Sequence, residues 1–199
     1  MLERAVPVEE PAGPMTFEEY LQRERAGEIK HEYVDGYVYP HQDWVTGLAG
    51  AGKAHNLLAG EIQYLLMRAA RERRDFFVFG SDMLVRIPHI RRSYYPDVHL
   101  VCDPADDGED YSTRPCLIIE VLSRSTARVD RGEKLVAYQS IPALQAYWIV
   151  SQTERPVTRW WRDSDQGAWR DEEMTTGELP VPCLDAQIAI ADIYSRALT

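Results

Sequence analysis

The sequence predicts an α/β chain, α+β-like in the way its strands cluster, with a mixed central β-sheet flanked by helices. Three observations carry this. Strand patterns follow one another closely at Phe76–Phe79, Asp82–Ile87, Tyr94–Cys102 and Cys116–Ser123, without the regular helical crossovers of a strictly parallel sheet. A long amphipathic pattern over Lys53–Arg73 precedes them and supplies a helix to cover one face. Hairpin patterns stand towards both ends of the chain, as additions to that core.

Taken in order, residues 1–14 are acidic and proline-rich and read as a flexible lead-in, leaving 15–199 as one domain. Thr16-Phe-Glu-Glu19 is a capping box opening a helix to about Ala26, with Gly27 beyond its end. Glu32-Tyr-Val-Asp-Gly-Tyr-Val-Tyr39 reads as a hairpin, because Asp35-Gly36 suits a type I′ turn. Residues 41–52, with Gly47, Gly50 and Gly52, read as a loop without the Gly-Lys-Ser/Thr of a phosphate cradle. On the long helix, Ala54, Leu57, Leu58, Ile62, Leu65, Leu66 and Ala69 form the apolar stripe, and His55 reads as lying off it. Asp130-Arg-Gly-Glu133 is a second capping-box pattern, opening a helix to about Gln139. A strand at Ala146–Ser151, a hairpin of Val157–Arg162 with Trp169–Glu173, and a short helix at Ala189–Leu198 complete the chain. Trp160, Trp161 and Trp169 read as cover for the sheet.

Bulk properties narrow the function. No run of 18 apolar residues and no charged-then-apolar leader is present, so a cytoplasmic protein without a membrane span is expected. Cys102, Cys116 and Cys183 lack CxxC spacing and read as reduced thiols. A net charge of −10 argues against a protein that coats nucleic acid. Yet residues 61–99 carry seven Arg against five acids, and 121–140 carry four basic residues against two acids. A polyanion would meet the middle of the chain, through residues such as Arg68, Arg71, Arg86, Arg91, Arg124 and Arg128.

The chemistry concentrates between Tyr95 and Lys134. Asp97 stands before Val-His-Leu-Val, and Glu120 between Leu-Ile-Ile and Val-Leu. Carboxylates in such apolar strands need a partner or a metal. Neighbouring strands would present both at one end of a sheet, where they could hold magnesium or manganese with the main-chain carbonyl of Val121. Lys134 is one of three lysines against 19 arginines, and could orient or deprotonate an attacking water. The same letters also fit structural roles: a strand-end Asp97, Glu120 paired with Arg124 or Arg131, and a surface Lys134. Asp82 is either a turn residue or a third acid, and His55 either anchors a loop or contacts substrate.

Seven segments in this order resemble one bacterial family: Glu32-Tyr-Val-Asp-Gly36, His55-Asn-Leu, Gly80-Ser-Asp-Met83, Tyr95-Pro-Asp-Val98, Ile119-Glu-Val-Leu-Ser-Arg-Ser-Thr126, Asp130-Arg-Gly-Glu-Lys134 and Tyr147-Trp-Ile-Val150. They are similar to the Uma2 family of the PD-(D/E)XK restriction-endonuclease-like superfamily. The resemblance implies a restriction-endonuclease-like core and magnesium-dependent hydrolysis of DNA phosphodiesters. It implies Asp97 and Glu120 as metal-binding acids and Glu32 as a further catalytic acid. The superfamily lysine belongs two residues after Glu120, where this chain has Leu122, and Lys134 is the substitute expected to complete the set. His55, Arg124 and Arg128 are the expected substrate contacts. Two readings follow: an endonuclease, suited to a homodimer when it cuts both strands of a duplex, or a catalytically degenerate module that binds nucleic acid or a protein partner.

Overall fold

The computed structural model describes residues 14–41, 52–122 and 127–197. The N-terminal lead-in up to residue 13 and the loop at 42–51 lie outside the described residues, as do Ser123–Thr126 with Arg124.

Helix α1 (Phe17–Ala26) starts where the capping box places it: Thr16 Oγ1 accepts from the Glu19 N–H at 3.2 Å, and Glu19 Oε2 accepts from the Thr16 N–H at 2.7 Å. The hairpin β1 (His31–Val34) and β2 (Tyr37–Pro40) closes at Asp35 and Gly36, both at positive φ (54° and 97°). A Cβ on Gly36 would lie 2.5 Å from that of Pro14, so this position admits glycine only. Helix α2 (Lys53–Ala69) is followed by β3 (Phe77–Gly80), β4 (Leu84–Ile87), β5 (Arg92–Tyr94), β6 (Val98–Val101), β7 (Tyr111–Ser112) and β8 (Pro115–Leu122).

Two sheets result. The larger has the order β11-β10-β9-β8-β6-β3, where β9 is Ala146–Ser151, β10 Val157–Trp161 and β11 Arg170–Met174. It is mixed, since β8 pairs parallel with β9 while β6, β10 and the outer strands run antiparallel. The C-terminal aromatic hairpin therefore extends the central sheet. The N-terminal hairpin joins a second sheet, β2-β1-β5-β4-β7, through pairing of Tyr33 with Ser93. Sequence periodicity shows neither assignment, because both depend on pairing between distant segments.

β8 is buried over nearly its whole length, and its two faces serve different cores. Leu117, Ile119 and Val121 pack with Leu58, Ile62, Leu65 and Leu66 of α2. Ile118 packs on the other side with Tyr138 and Tyr147. Trp161 covers the first core, and Trp160 with Trp169 the second, as the alternation along a strand requires.

Three expectations are corrected. The helix expected to open at Asp130, α3, begins before it: it runs through Ala127–Val129, a π-helical turn over Asp130–Lys134, and Leu135–Gln139. Asp130 is no cap, because its side chain is buried and faces Lys134 at 3.2 Å, while Glu133 accepts a hydrogen bond from Tyr94 (2.7 Å). At the C-terminus, Glu178–Val181 (β12) and Ala186–Ala189 (β13) form a further hairpin, so α4 is only Ile190–Ile193. Finally, Cys102 and Cys116 are joined as a disulfide, because the irregularity at Leu100/Val101 opposite Pro115 brings their Cα atoms to 6.3 Å. No helix among the described residues is long and apolar enough to cross a membrane.

His99 on β6 is fully buried, with Nε2 3.1 Å from Ser112 Oγ. Burial pushes its pKa down to about 3. The unfolded chain therefore binds the proton first, and the stability that neutral His99 contributes is present above about pH 6.5 and lost as pH falls towards about 3. At pH 5 the loss attributable to this residue is about 2 kcal/mol. Urea titrations of wild type and His99→Gln between pH 5 and 7.5 should show that extra slope in wild type alone.

Candidate active site

β1, β8, the segment just ahead of β6, α2 and α3 bring a set of charged side chains to one place. Asp97 stands just ahead of β6, where Val98 pairs with Ile119, so its neighbour across the ladder is the segment holding Glu120. Its Oδ2 accepts from the Val121 N–H at 2.7 Å, and its own N–H donates to Glu120 Oε2 at 3.3 Å. These two reciprocal bonds tie the acids to each other's main chain.

Glu120 is buried, and its Oε1 accepts from Lys134 Nζ and from the Tyr138 hydroxyl, both at 3.1 Å. Lys134 reaches it from α3 and is itself only 4% exposed. Its ammonium also lies 3.2 Å from Asp130 Oδ1 and 3.6 Å from Glu32 Oε1. Glu32 comes from β1 and is buried too, although on its own hairpin it reads as a surface acid. The π-helical turn matters here. Residues four apart drift by about 40° per step in a regular α-helix, and the wider turn lets Asp130, Lys134 and Tyr138 all face the strands.

His55 sits on the buried stripe of α2 and not off it: it lies three residues before Leu58 and seven before Ile62, the spacing of one helix face. Its Nε2–H donates to Asp97 Oδ2 at 3.2 Å. Asp82 is a turn residue, 94% exposed and paired with Lys30. Arg124 lies outside the described residues, and Arg128 has its backbone alone described, in the first turn of α3. Tyr138 and Asp130 were not legible as site residues. The spacing 130-134-138 was the one available signal, masked by the resemblance of Asp130-Arg-Gly-Glu133 to a cap.

Burial and neighbouring charge oppose each other throughout. Burial alone would raise the Asp97 carboxyl, but the His55 bond and charge, the Val121 N–H and Lys134 together hold it below the usual range. Burial pushes Glu120 well up; Lys134 opposes this, while Asp130 and Asp97 add to it. Burial would lower Lys134, yet Glu120, Asp130 and Glu32 hold it well above the ordinary lysine value. Lys134 is thus an ammonium at neutral pH. The lowered pKa that would make it a base is not what this environment produces.

The donor set fits a hard divalent cation. Glu32, Asp97, Glu120 and Asp130 bring four carboxylates against Lys134, an excess of negative charge in a largely buried place, where Asp130 and Asp97 add to the upward effect of burial on Glu120. Among the described residues no three acidic or imidazole ligand atoms lie within 4.8 Å of one another. Magnesium keeps several waters and takes one or two carboxylates, so it asks for no closer cage of protein ligands. Asp97 and Glu120, with the main chain of Val121 beside them, are the residues that would hold such an ion.

Replacing Lys134 by Met leaves its three acidic neighbours buried without their shared cation. Stability should fall by about 3–5 kcal/mol, read from urea unfolding at pH 7, and partly recover at lower pH as the acids take up protons.

Comparison with known proteins gives the family and the fold. The Uma2 family model, described as "Putative restriction endonuclease", matches residues 17–191. Two Synechocystis proteins, slr1290 and sll1609, both described as uncharacterized, are similar: the first is 34% identical over 160 residues, 80% of each chain, and the second 35% identical over 141 residues, 69% of this chain and 75% of its own. In fold, the chain is similar to a crystal structure from Anabaena variabilis described as "a putative nuclease belonging to DUF820". The TM-score is 0.69 at 18% identity, over 92% of this chain and 98% of that one.

Proposed function

Because the chain belongs to the Uma2 family of restriction-endonuclease-like proteins, we propose that it is a metal-dependent endonuclease that hydrolyses DNA phosphodiester bonds at the Asp97–Glu120 site. The observation that carries this reading is the pair of reciprocal bonds that partly buried Asp97 and buried Glu120 make to each other's main chain, with a buried lysine on Glu120. Magnesium or manganese, when bound, supplies polarisation of the phosphoryl group and a more acidic water.

The chain's own residues divide the remaining work. Asp97 and Glu120 hold the ion. His55 fixes the rotamer of Asp97 from α2, and Tyr138 fixes that of Glu120 from α3, so neither ligand reorients on binding. Lys134, as an ammonium, orients the attacking water and offsets the charge that develops on the phosphoryl oxygens. Glu32 and Asp130 hold that ammonium in place. His55 therefore acts through Asp97, in place of the substrate contact expected for it. DNA would be engaged by exposed basic residues such as Arg68, Arg71 and Arg91. Arg86 is less available, since its guanidinium stacks on Phe17 at 3.8 Å.

One observation favours the second reading, a degenerate module that binds without cutting. Both Glu120 oxygens already accept hydrogen bonds, and Lys134 is nearly inaccessible, so the Glu120 carboxylate is satisfied as it stands. Calorimetry separates the two. Wild type should bind one Mg²⁺ or Mn²⁺ and nick plasmid DNA, while Asp97→Asn binds far more weakly and does not cut. Metal binding without any cleavage would select the degenerate module. With Lys134→Arg, a role through charge predicts partial activity, whereas a role as base predicts none.

Binding of DNA should be weak and steeply salt-dependent, with a log–log slope of about −0.9 for each phosphate neutralised. A flat response in fluorescence anisotropy between low and moderate salt would point to a protein partner instead.

A further inference from the structure

The three cysteines of the chain converge at the end of the sheet away from Glu120. Cys116 and Glu120 are four residues apart on β8, about 13 Å along a strand. Cys102 follows β6, Cys116 lies on β8, and Cys183 stands in the turn between β12 and β13. All three sulfurs lie within 4.8 Å of one another. They come from three separate segments, so no sequence spacing announces them.

Several features single out Cys183. It is exposed, whereas its two neighbours are partly or fully buried. Its φ of 64° puts a side-chain-bearing residue in the left-handed region, a conformation that normally falls to glycine or asparagine. The Gln145 side-chain amide donates to its sulfur at 3.3 Å, and the Gln145 N–H donates to the Cys116 carbonyl at 2.9 Å. Gln145 thus ties the strand end to the turn. The burial of its sulfur pushes the Cys183 thiol up, and the Gln145 bond and the charge of Arg73 act against that. A surface cavity lined by Gln145, Ala146, Val181 and Pro182 adjoins the turn and gives solvent a way in.

We propose that Cys102, Cys116 and Cys183 form a thiolate site for a soft divalent ion of the zinc class, available when the Cys102–Cys116 bond is reduced. A dithiol reductant gives two electrons and two protons to that bond, leaving two thiols and closing its own disulfide. The ion then displaces the three thiol protons as three sulfur–metal bonds form. Sulfurs held at about 2.3 Å from one tetrahedral ion stand about 3.8 Å apart, so the convergence already present needs little backbone movement. Three thiolates and one divalent ion leave a single negative charge, which Arg73 and the Gln145 amide face. The fourth position opens to the cavity and takes water. Occupied, the site pins the β12–β13 hairpin to the ends of β6 and β8.

Cobalt(II) is the probe, with the full chain carrying Asp97→Asn so that the carboxylate site does not compete. After phosphine reduction, one equivalent of Co²⁺ should produce thiolate-to-cobalt charge-transfer bands and tetrahedral d–d bands, both abolished by one equivalent of Zn²⁺. Cys183→Ser, at an exposed turn, should fold as judged by circular dichroism yet bind roughly 100-fold more weakly or worse. The unreduced chain should show no such bands. Reduced protein without charge-transfer bands overturns the site, as does binding that survives Cys183→Ser. Mass-spectrometric mapping of unreduced protein that finds Cys183 in disulfides, with no cobalt–thiolate bands after reduction, would assign the cluster to thiol–disulfide exchange instead.

Discussion

The arrangement depends on one buried ammonium. Lys134 is the meeting point of β1 through Glu32, β8 through Glu120 and the first half of α3 through Asp130. Taking four charged groups out of water is costly, and in isolation none of them would remain buried and ionised. Their mutual attraction offsets that cost only when all are present in the same geometry. This makes the cluster a constraint on register: β1 must pair with β5, β8 must lie parallel to β9, and α3 must widen by a π turn, or one carboxylate loses its cation.

That same constraint separates the two sheets into different jobs. The six-stranded sheet builds the apolar frame, with β8 in its middle and α2 and the C-terminal elements on one face. The five-stranded sheet lends Glu32 to the charged cluster and packs α1 through Tyr20 and Tyr33. Tyrosines line the boundary. Tyr94, Tyr138 and Tyr147 stack edge to face or tilted, and their hydroxyls reach Glu133, Glu120 and the Asp130 carbonyl. Rings of this kind fill apolar space while offering a polar tip, which suits a carboxylate cluster embedded in a hydrophobic core.

How far the sequence reveals this follows from the range of the interactions. Local signals are sound for the Thr16 cap, the Asp35-Gly36 turn and the strand context of Glu120, each of which depends on a few adjacent residues, whereas the expected strand Tyr94–Cys102 is split: Asp97 stands between β5 and β6, which belong to different sheets. A lysine on the following helix reaching back to Glu120 was also foreseeable, since α3 follows β8 directly. The failures come from pairing over distance. Asp130 looked like a cap because a cap and a buried partner of Lys134 use the same letter. His55 looked peripheral because Ala54 and Leu57 distorted the apparent stripe, whereas the buried face runs through Leu58, Ile62 and Leu65. The cysteines, on three segments, carry no spacing at all.

The missing lysine at position 122 has a physical explanation in this frame. Leu122 closes β8, partly buried against the core that holds Tyr138 and Ile149, so a side chain there serves packing. A lysine at 122 would approach Glu120 along the strand, from a residue two positions on and therefore on the same face. Lys134 approaches from the helix that covers that face, and from there it can also bind Glu32 and Asp130. A cation on α3 thus makes a three-acid junction between both large sheets and a helix, where one at position 122 would make a strand-local ion pair. A cation so held is less free to change its protonation state, and its chemistry is that of a fixed positive charge.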